Sequence, residues 1–150
     1  MMKVALGCDH GGFELKEAIK KYISDKGVEV VDFGTYTTDS VDYPEYGMKV
    51  AEAVSKGEVE QGILICGTGL GMSYVANKVK GIRCACVSDV FSAEMSKLHN
   101  DANVLALGAR VVGLGLGLKI VETWLGTEFE GGRHQRRVDL ITAVEDKYFK

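Results

Sequence analysis

The chain has 150 residues, 46% of them apolar and 26% charged, with a formal net charge of −3. That is an average composition for one globular domain, which at this size buries about 68–70% of its extended surface, and it excludes a disordered tail, a collagen-like chain and a disulfide-stapled miniprotein. The acidic balance gives no electrostatic case for general nucleic-acid binding. No run approaches the roughly 18 apolar residues of a membrane span, and MMKVALGCDH is too poor in apolar residues for a signal peptide, so the expectation is a cytoplasmic protein with no membrane partner.

Lys3–Cys8 (KVALGC) predicts a first strand, and Phe13–Lys26 a helix with Leu15, Ala18, Ile19, Tyr22 and Ile23 on its apolar face and Gly27 at the stop. Val28–Phe33 is a second strand. Asp42-Tyr43-Pro44 leads into a helix to about Lys56, with Pro44 in its first turn. Gly62–Cys66 (GILIC) is the third strand, followed by a helix over about Gly69–Val79. Arg83–Val87 is the fourth, and Ser88 or Asp89 caps a helix to Asn100. Asn103–Leu107 is the fifth, before helices over roughly Gly113–Leu125 and His134–Tyr148. Strict alternation with continuously apolar strands predicts a three-layer α/β/α sandwich on a parallel sheet, in the common five-strand order 2-1-3-4-5. Gly113 and Gly117 share a helix face, which allows a close helix contact, including one to another subunit; a frayed helix start explains them equally well.

Four cysteines (Cys8, Cys66, Cys84, Cys86) show no CxxC spacing, and His, Asp and Glu form no cluster with ligand spacing, so no metal is expected. Cys84 and Cys86 read as small buried residues on one strand face.

Ligands of open α/β sheets bind beyond the carboxyl ends of the strands, at the switch in strand order, here between strands one and three. The residues there are Cys8-Asp9-His10-Gly11-Gly12 and Cys66-Gly67-Thr68-Gly69-Leu70-Gly71. The second run is neither a dinucleotide fingerprint, since position 72 is Met72, nor a P-loop. It is still a glycine turn opening a helix, with free amides and the positive helix end to hold a phosphate or a developing oxyanion. A helix N-terminus favours thiolate over thiol, so Cys66 is a candidate base or nucleophile; a buried-strand cysteine is the competing reading. Asp9 can cap the following helix or serve chemistry, and His10 can hold an anion or carry a proton. Three of the five arginines, Arg133, Arg136 and Arg137, crowd around His134, as a local anion site or a solvated helix start. Arg133 and Arg137 are four apart and share a helix face; Arg136 points elsewhere and reads as a surface residue. His99-Asn100 ends the helix after strand four, near the amino edge of the sheet.

Taken together, CDHGGFELK, DYPEYG, GILICGTGLGMS, the HND after the fourth helix, LALGARV and GRHQRRV resemble the type-B ribose-5-phosphate isomerases, a family with relatives acting on allose 6-phosphate and galactose 6-phosphate. The resemblance runs in order along nearly the whole chain. It implies a flavodoxin-like sandwich over residues 1–150, aldose–ketose isomerisation of a sugar phosphate without metal or cofactor, and a homodimer or dimer of dimers with shared active sites, the last helix (about 134–148) packing on a partner. Carried over residue by residue, it puts the proton acceptor on Cys66 and the ring-opening acid/base on His99, with Asp9 and Thr68 in the catalytic set. Asp9, His10, Gly67, Thr68, Gly69, Leu70, Gly71, Asn100, Arg110, Arg133 and Arg137 match substrate or phosphate contacts. One branch of the family lacks the cysteine and has a glutamate base a few residues on; Cys66 and Val75 fit the cysteine branch. Leu70, Tyr74 and Val75 are bulky variable positions in the loop and the helix after it, and the choice between five- and six-carbon sugar phosphates stays open.

The chemistry fits these residue types independently. Ring opening needs an acid/base, C2–H abstraction needs a base, the enediolate needs preorganised donors, and the phosphate needs bidentate cations. Alternatives are an allose-6-phosphate or galactose-6-phosphate isomerase, one subunit of a hetero-oligomeric isomerase, and a non-catalytic phosphate- or nucleotide-binding module. The joint presence of Asp9, Cys66, Thr68, His99 and the arginines favours a self-sufficient enzyme.

Overall fold

Apolar runs of three to six residues, each followed by a helical stretch, give five strands: β1 (Lys3–Cys8), β2 (Glu29–Asp32), β3 (Gln61–Cys66), β4 (Cys84–Cys86) and β5 (Val104–Gly108). The helices are α1 (Phe13–Ser24), α2 (Tyr43–Ser55), α3 (Leu70–Ala76), α4 (Val90–Leu98), α5 (Ala109–Leu125) and α6 (Arg133–Tyr148), with a 3-10 turn at His10–Gly12. The computed structural model describes residues 2–150. Among them no helix is long and apolar enough to cross a membrane.

All strand pairs are parallel, as the alternation requires. The order is β2-β1-β3-β5-β4, so the expected 2-1-3-4-5 is corrected at one edge. The reason is burial. VLALG of β5 is buried at all five residues, as a strand covered on both faces must be, whereas β4 has three residues and is partly exposed. The short strand therefore takes the edge. Asn77, just past α3, finishes that edge: its side chain accepts from the Cys84 amide at 2.9 Å and donates to the Cys84 carbonyl at 3.1 Å. The switch between β1 and β3 is as expected, with Cys8 paired to Ile65.

Side-chain alternation sorts the sheet into two cores. Leu6, Ile63, Ile65, Leu105 and Leu107 face α1, α4 and α5, whose Ile19, Ala93, Ile120 and Trp124 complete one cluster. Leu64, Cys66 and Val104 face Val50, Ala51, Val54, Met72 and Ala76 of α2 and α3. The alternation thus aims Cys66 at the second layer, against the helix its own loop starts.

α5 begins at Ala109, directly after Gly108, rather than at Gly113. Gly113 has φ 69° and ψ −174° and breaks the helix there, a conformation that favours glycine. Gly113 and Gly117 therefore share no continuous helix face. A Cβ on Gly117 would lie 3.3 Å from Leu15 of α1, so its close contact is inside the chain. α3 ends at Ala76, short of Val79.

α6 stands apart from both layers. Only His134 and Val138 of it are buried, and Glu145 anchors it by accepting twice from the Gly81 amide, at 3.0 and 3.1 Å. Leu140, Ile141 and Val144 remain exposed.

Candidate active site

The loop after β3 forms because Gly69 takes φ 82°, in the left-handed region. Its amide donates to Cys66 Sγ at 3.1 Å, and the Leu70 amide donates to Thr68 Oγ1 at 3.3 Å. A Cβ on Gly108 would lie 2.6 Å from the Thr68 carbonyl, so the glycine of LALGAR lets β5 close against the loop. Cys66 is buried to 6% exposure, while Thr68 and Leu70 are exposed. A thiol thus sits beneath a glycine turn at a helix start, held by the Gly69 amide, with Thr68 and Leu70 reaching solvent.

Asp9 lies one strand away and faces the same edge. Its Oδ1 accepts from the Gly11 and Gly12 amides, at 2.9 and 3.1 Å, so the capping role expected of it is present. His10 Nδ1 accepts from the Val41 amide at 3.2 Å. That bond requires Nδ1 to carry no proton, so the ring proton is on Nε2, a donor for an anion. The Arg110 amide donates to the Gly67 carbonyl at 3.1 Å and its side chain lies over Gly67. A cavity of about 420 Å³ opens beside Arg110, lined by His10, Gly11, Glu14, Thr38 and Arg110 among others. Two cationic or donor side chains in one cavity at a sheet switch point suit a phosphate.

The other site residues lie elsewhere. His99 caps α4, and the carbonyls of Asn100 and Asp101 accept from Arg83 Nε at 3.1 and 3.0 Å beside the start of β4. They therefore stand at the amino edge of the sheet. Arg133 and Arg137 start α6 in the same region, because His134 between them stacks on His99 with ring centroids 4.1 Å apart and planes 11° from parallel. The fold thus divides the candidate residues into two groups. Asp9, His10, Cys66, Gly67, Thr68, Gly69, Leu70, Gly71 and Arg110 share the carboxyl edge; His99, Asn100, Arg133 and Arg137 share the amino edge.

Sequence spacing missed two things here. Glu130 Oε2 lies 3.8 Å from His99 Nε2, so His99, Glu130 and His134 do form a cluster, with potential ligand atoms within 4.8 Å of one another. Parallel stacked rings direct their in-plane lone pairs side by side, not onto one ion 2.0–2.1 Å from each. The turn at Gly131-Gly132, both at positive φ, makes this meeting and leaves no local signal for it. The second omission is Tyr43, whose ring a Cβ on Gly71 would strike at 2.5 Å; the loop glycine is there to admit it.

The cysteines differ as their burial dictates. Burial pushes the Cys8 thiol up to about 12, and likewise raises Cys84 and Cys86. Cys84 is only partly buried and Cys86 is exposed, which corrects the reading of both as core residues; the edge position of β4 is the cause.

A glycine turn, a thiol and donors for an anion at the switch point of a parallel sheet define an α/β domain built to hold a small anionic ligand. The chain belongs to the Ribose/Galactose Isomerase family, whose model matches residues 4–141. It is 55% identical to ribose-5-phosphate isomerase B of Escherichia coli (strain K12), over 98% of this chain and 99% of that one. Among solved structures, ribose-5-phosphate isomerase B of Clostridium thermocellum superposes with a TM-score of 0.97 at 58% identity, covering 98% of this chain and 99% of that one. The Mycoplasma genitalium ribose-5-phosphate isomerase B with bound ribulose-5-phosphate gives a TM-score of 0.94 at 41% identity, with 97% of both chains covered.

Proposed function

We propose that this chain is an aldose–ketose isomerase interconverting ribose 5-phosphate and ribulose 5-phosphate, a step of the pentose phosphate pathway, in the cytoplasm. The observation that carries the reading is the buried Cys66 thiol under the Gly67–Gly71 turn, beside Asp9 and the His10–Arg110 cavity, in a chain whose near relatives bear this activity by name. Residues 1–150 act as one sugar-phosphate isomerase domain.

The phosphate enters the cavity of His10 and Arg110 and is clamped from the other side by Arg133 and Arg137 of a second copy. His99 of that copy takes the proton from the O1 hydroxyl and gives one to the ring oxygen, which opens the furanose. Asn100 holds the sugar beside it. Cys66 as thiolate takes the C2 hydrogen as a proton, the C1=O electrons move onto O1, and the 67–71 amides hold the enediolate. One such donor contributes about 2.7–4 kcal/mol to the transition state. Asp9, with Thr68, passes the O2 proton to O1, and Cys66 returns its proton to C1.

The division of the residues between two sheet edges supports a site built from two copies. A two-fold dimer, or a dimer of such dimers, brings the amino edge of one chain to the carboxyl edge of the other. The uncovered Leu140, Ile141 and Val144 of α6 suit the same partner. Leu70 and Tyr74, exposed beside the loop, face the sugar and set the preference between ribose 5-phosphate and the six-carbon phosphates.

The test is turnover by purified protein after exhaustive chelation. Conversion of ribose 5-phosphate to ribulose 5-phosphate with undiminished rate is expected. Binding of the sugar phosphate without turnover would leave a phosphate-binding module, and selective turnover of allose or galactose 6-phosphate would reassign the substrate.

A further inference from the structure

His134 is buried to 5% exposure, and its Nε2 has no hydrogen-bond partner among the described residues. Leaving a buried ring nitrogen unpaired costs stability, so its own bonding does not account for the ring's place there. What the ring does is cover His99, 4.1 Å away and nearly parallel. At the edge of that ring Glu130 Oε2 lies 3.8 Å from His99 Nε2, and the Glu130 amide donates to the Leu98 carbonyl at 3.0 Å, tying the Glu130 backbone to the end of α4. His99 itself is 39% exposed at the side chain, on a residue that caps a helix, where an unsupported ring would turn freely.

We propose that His134 is a positioning residue: its stacked ring, with Glu130 at the His99 Nε2 edge, fixes the imidazole plane of His99 for ring opening. The inference rests on the isomerase reading above and on the role given there to His99. Burial, and then the positive charges of His99, Arg133 and Arg137, hold His134 below the ordinary histidine range, with Glu130 opposing. The neutral ring of His134 is thereby favoured in the stack.

Ring opening can be separated from the rest of the reaction. Ribulose 5-phosphate cannot close to a furanose, because O5 carries the phosphate. Exchange of its C1 hydrogen with deuterated water therefore uses Cys66 and the loop without any ring-opening step. In His134→Ala the ratio of ribose 5-phosphate kcat to C1 exchange should fall about tenfold at unchanged KM, the scale of one lost ring pair. His134→Phe keeps the ring and removes the unpaired nitrogen. It should restore that ratio and melt no lower than the parent. An unchanged ratio in His134→Ala, a parallel loss of turnover and exchange, or a Phe variant as slow as the Ala variant would each overturn the inference. A His99→Ala protein with full ribose 5-phosphate turnover would instead overturn the role of His99 itself.

Discussion

Cys66 is the last residue of β3 and pairs with Gly108 at the end of β5, whereas His99 caps the helix that returns to the start of β5. The length of β5 separates them, about 17 Å for a strand of this size. No single sugar phosphate spans that distance within one chain. In the proposed mechanism the two residues therefore meet only across two copies.

Cys66→Ala should abolish hydrogen exchange at C2 of ribose 5-phosphate while leaving melting temperature and phosphate affinity nearly intact. Iodoacetamide should inactivate the parent protein, and substrate should slow that inactivation. The exposed Cys86 alkylates as well, so mass mapping must place the protected thiol at Cys66. Full exchange in Cys66→Ala would remove it as the base.

Arg133→Ala and Arg137→Ala should each raise KM for ribose 5-phosphate about 10- to 150-fold, the equivalent of the 1.5–3 kcal/mol of a charged hydrogen bond. Arg136→Ala should change KM little. Equal effects from all three would describe a diffuse positive patch rather than a clamp.

Much of this was legible in the sequence for a simple physical reason: a strand, its loop and the next helix are contiguous, so GILICGTGLG carries its own geometry. Strand membership was legible too, because buried strands must be apolar. Strand order was not, since pairing β5 rather than β4 with β3 is a comparison of burial between distant segments. The His99–His134 stack was hidden for the same reason: 35 positions separate the partners, and two glycines at positive φ join them. His10 gave a candidate anion ligand, but its tautomer depends on Val41, which no local pattern reveals.

The buried Lys97 makes a prediction about stability. Its ammonium donates to Gln61 Oε1 and, at 3.2 Å, to the Trp124 carbonyl, and lies 4.3 Å from the Trp124 ring centroid. Burial nevertheless lowers its pKa from 10.5 to about 8, with Asp101 and Glu128 opposing. Between those values the unfolded chain binds more protons than the folded one, so this group makes stability rise with pH across pH 8 to 10.5. The gain reaches at most about 3 kcal/mol. Cys8, raised to about 12 by burial, acts in the opposite sense above pH 9, so the contribution is read as a difference. Denaturant titrations of the parent and Lys97→Met should diverge over this window, the parent gaining relative to the variant; parallel curves would contradict the assignment.

The central claim is that each site takes Cys66 from one copy and His99 from another, and subunit complementation tests it most directly. Cys66→Ala and His99→Ala proteins, each inactive alone, are mixed under conditions where subunit exchange is verified by mass. A mixed dimer then holds one intact site and one doubly damaged site. At random mixing about half of the dimers are mixed, so activity should return to about a quarter of the parent's sites, by the symmetry of an isologous pair. Exchange without any return of activity would mean that Cys66 and His99 serve one site within one chain, against the placement described here.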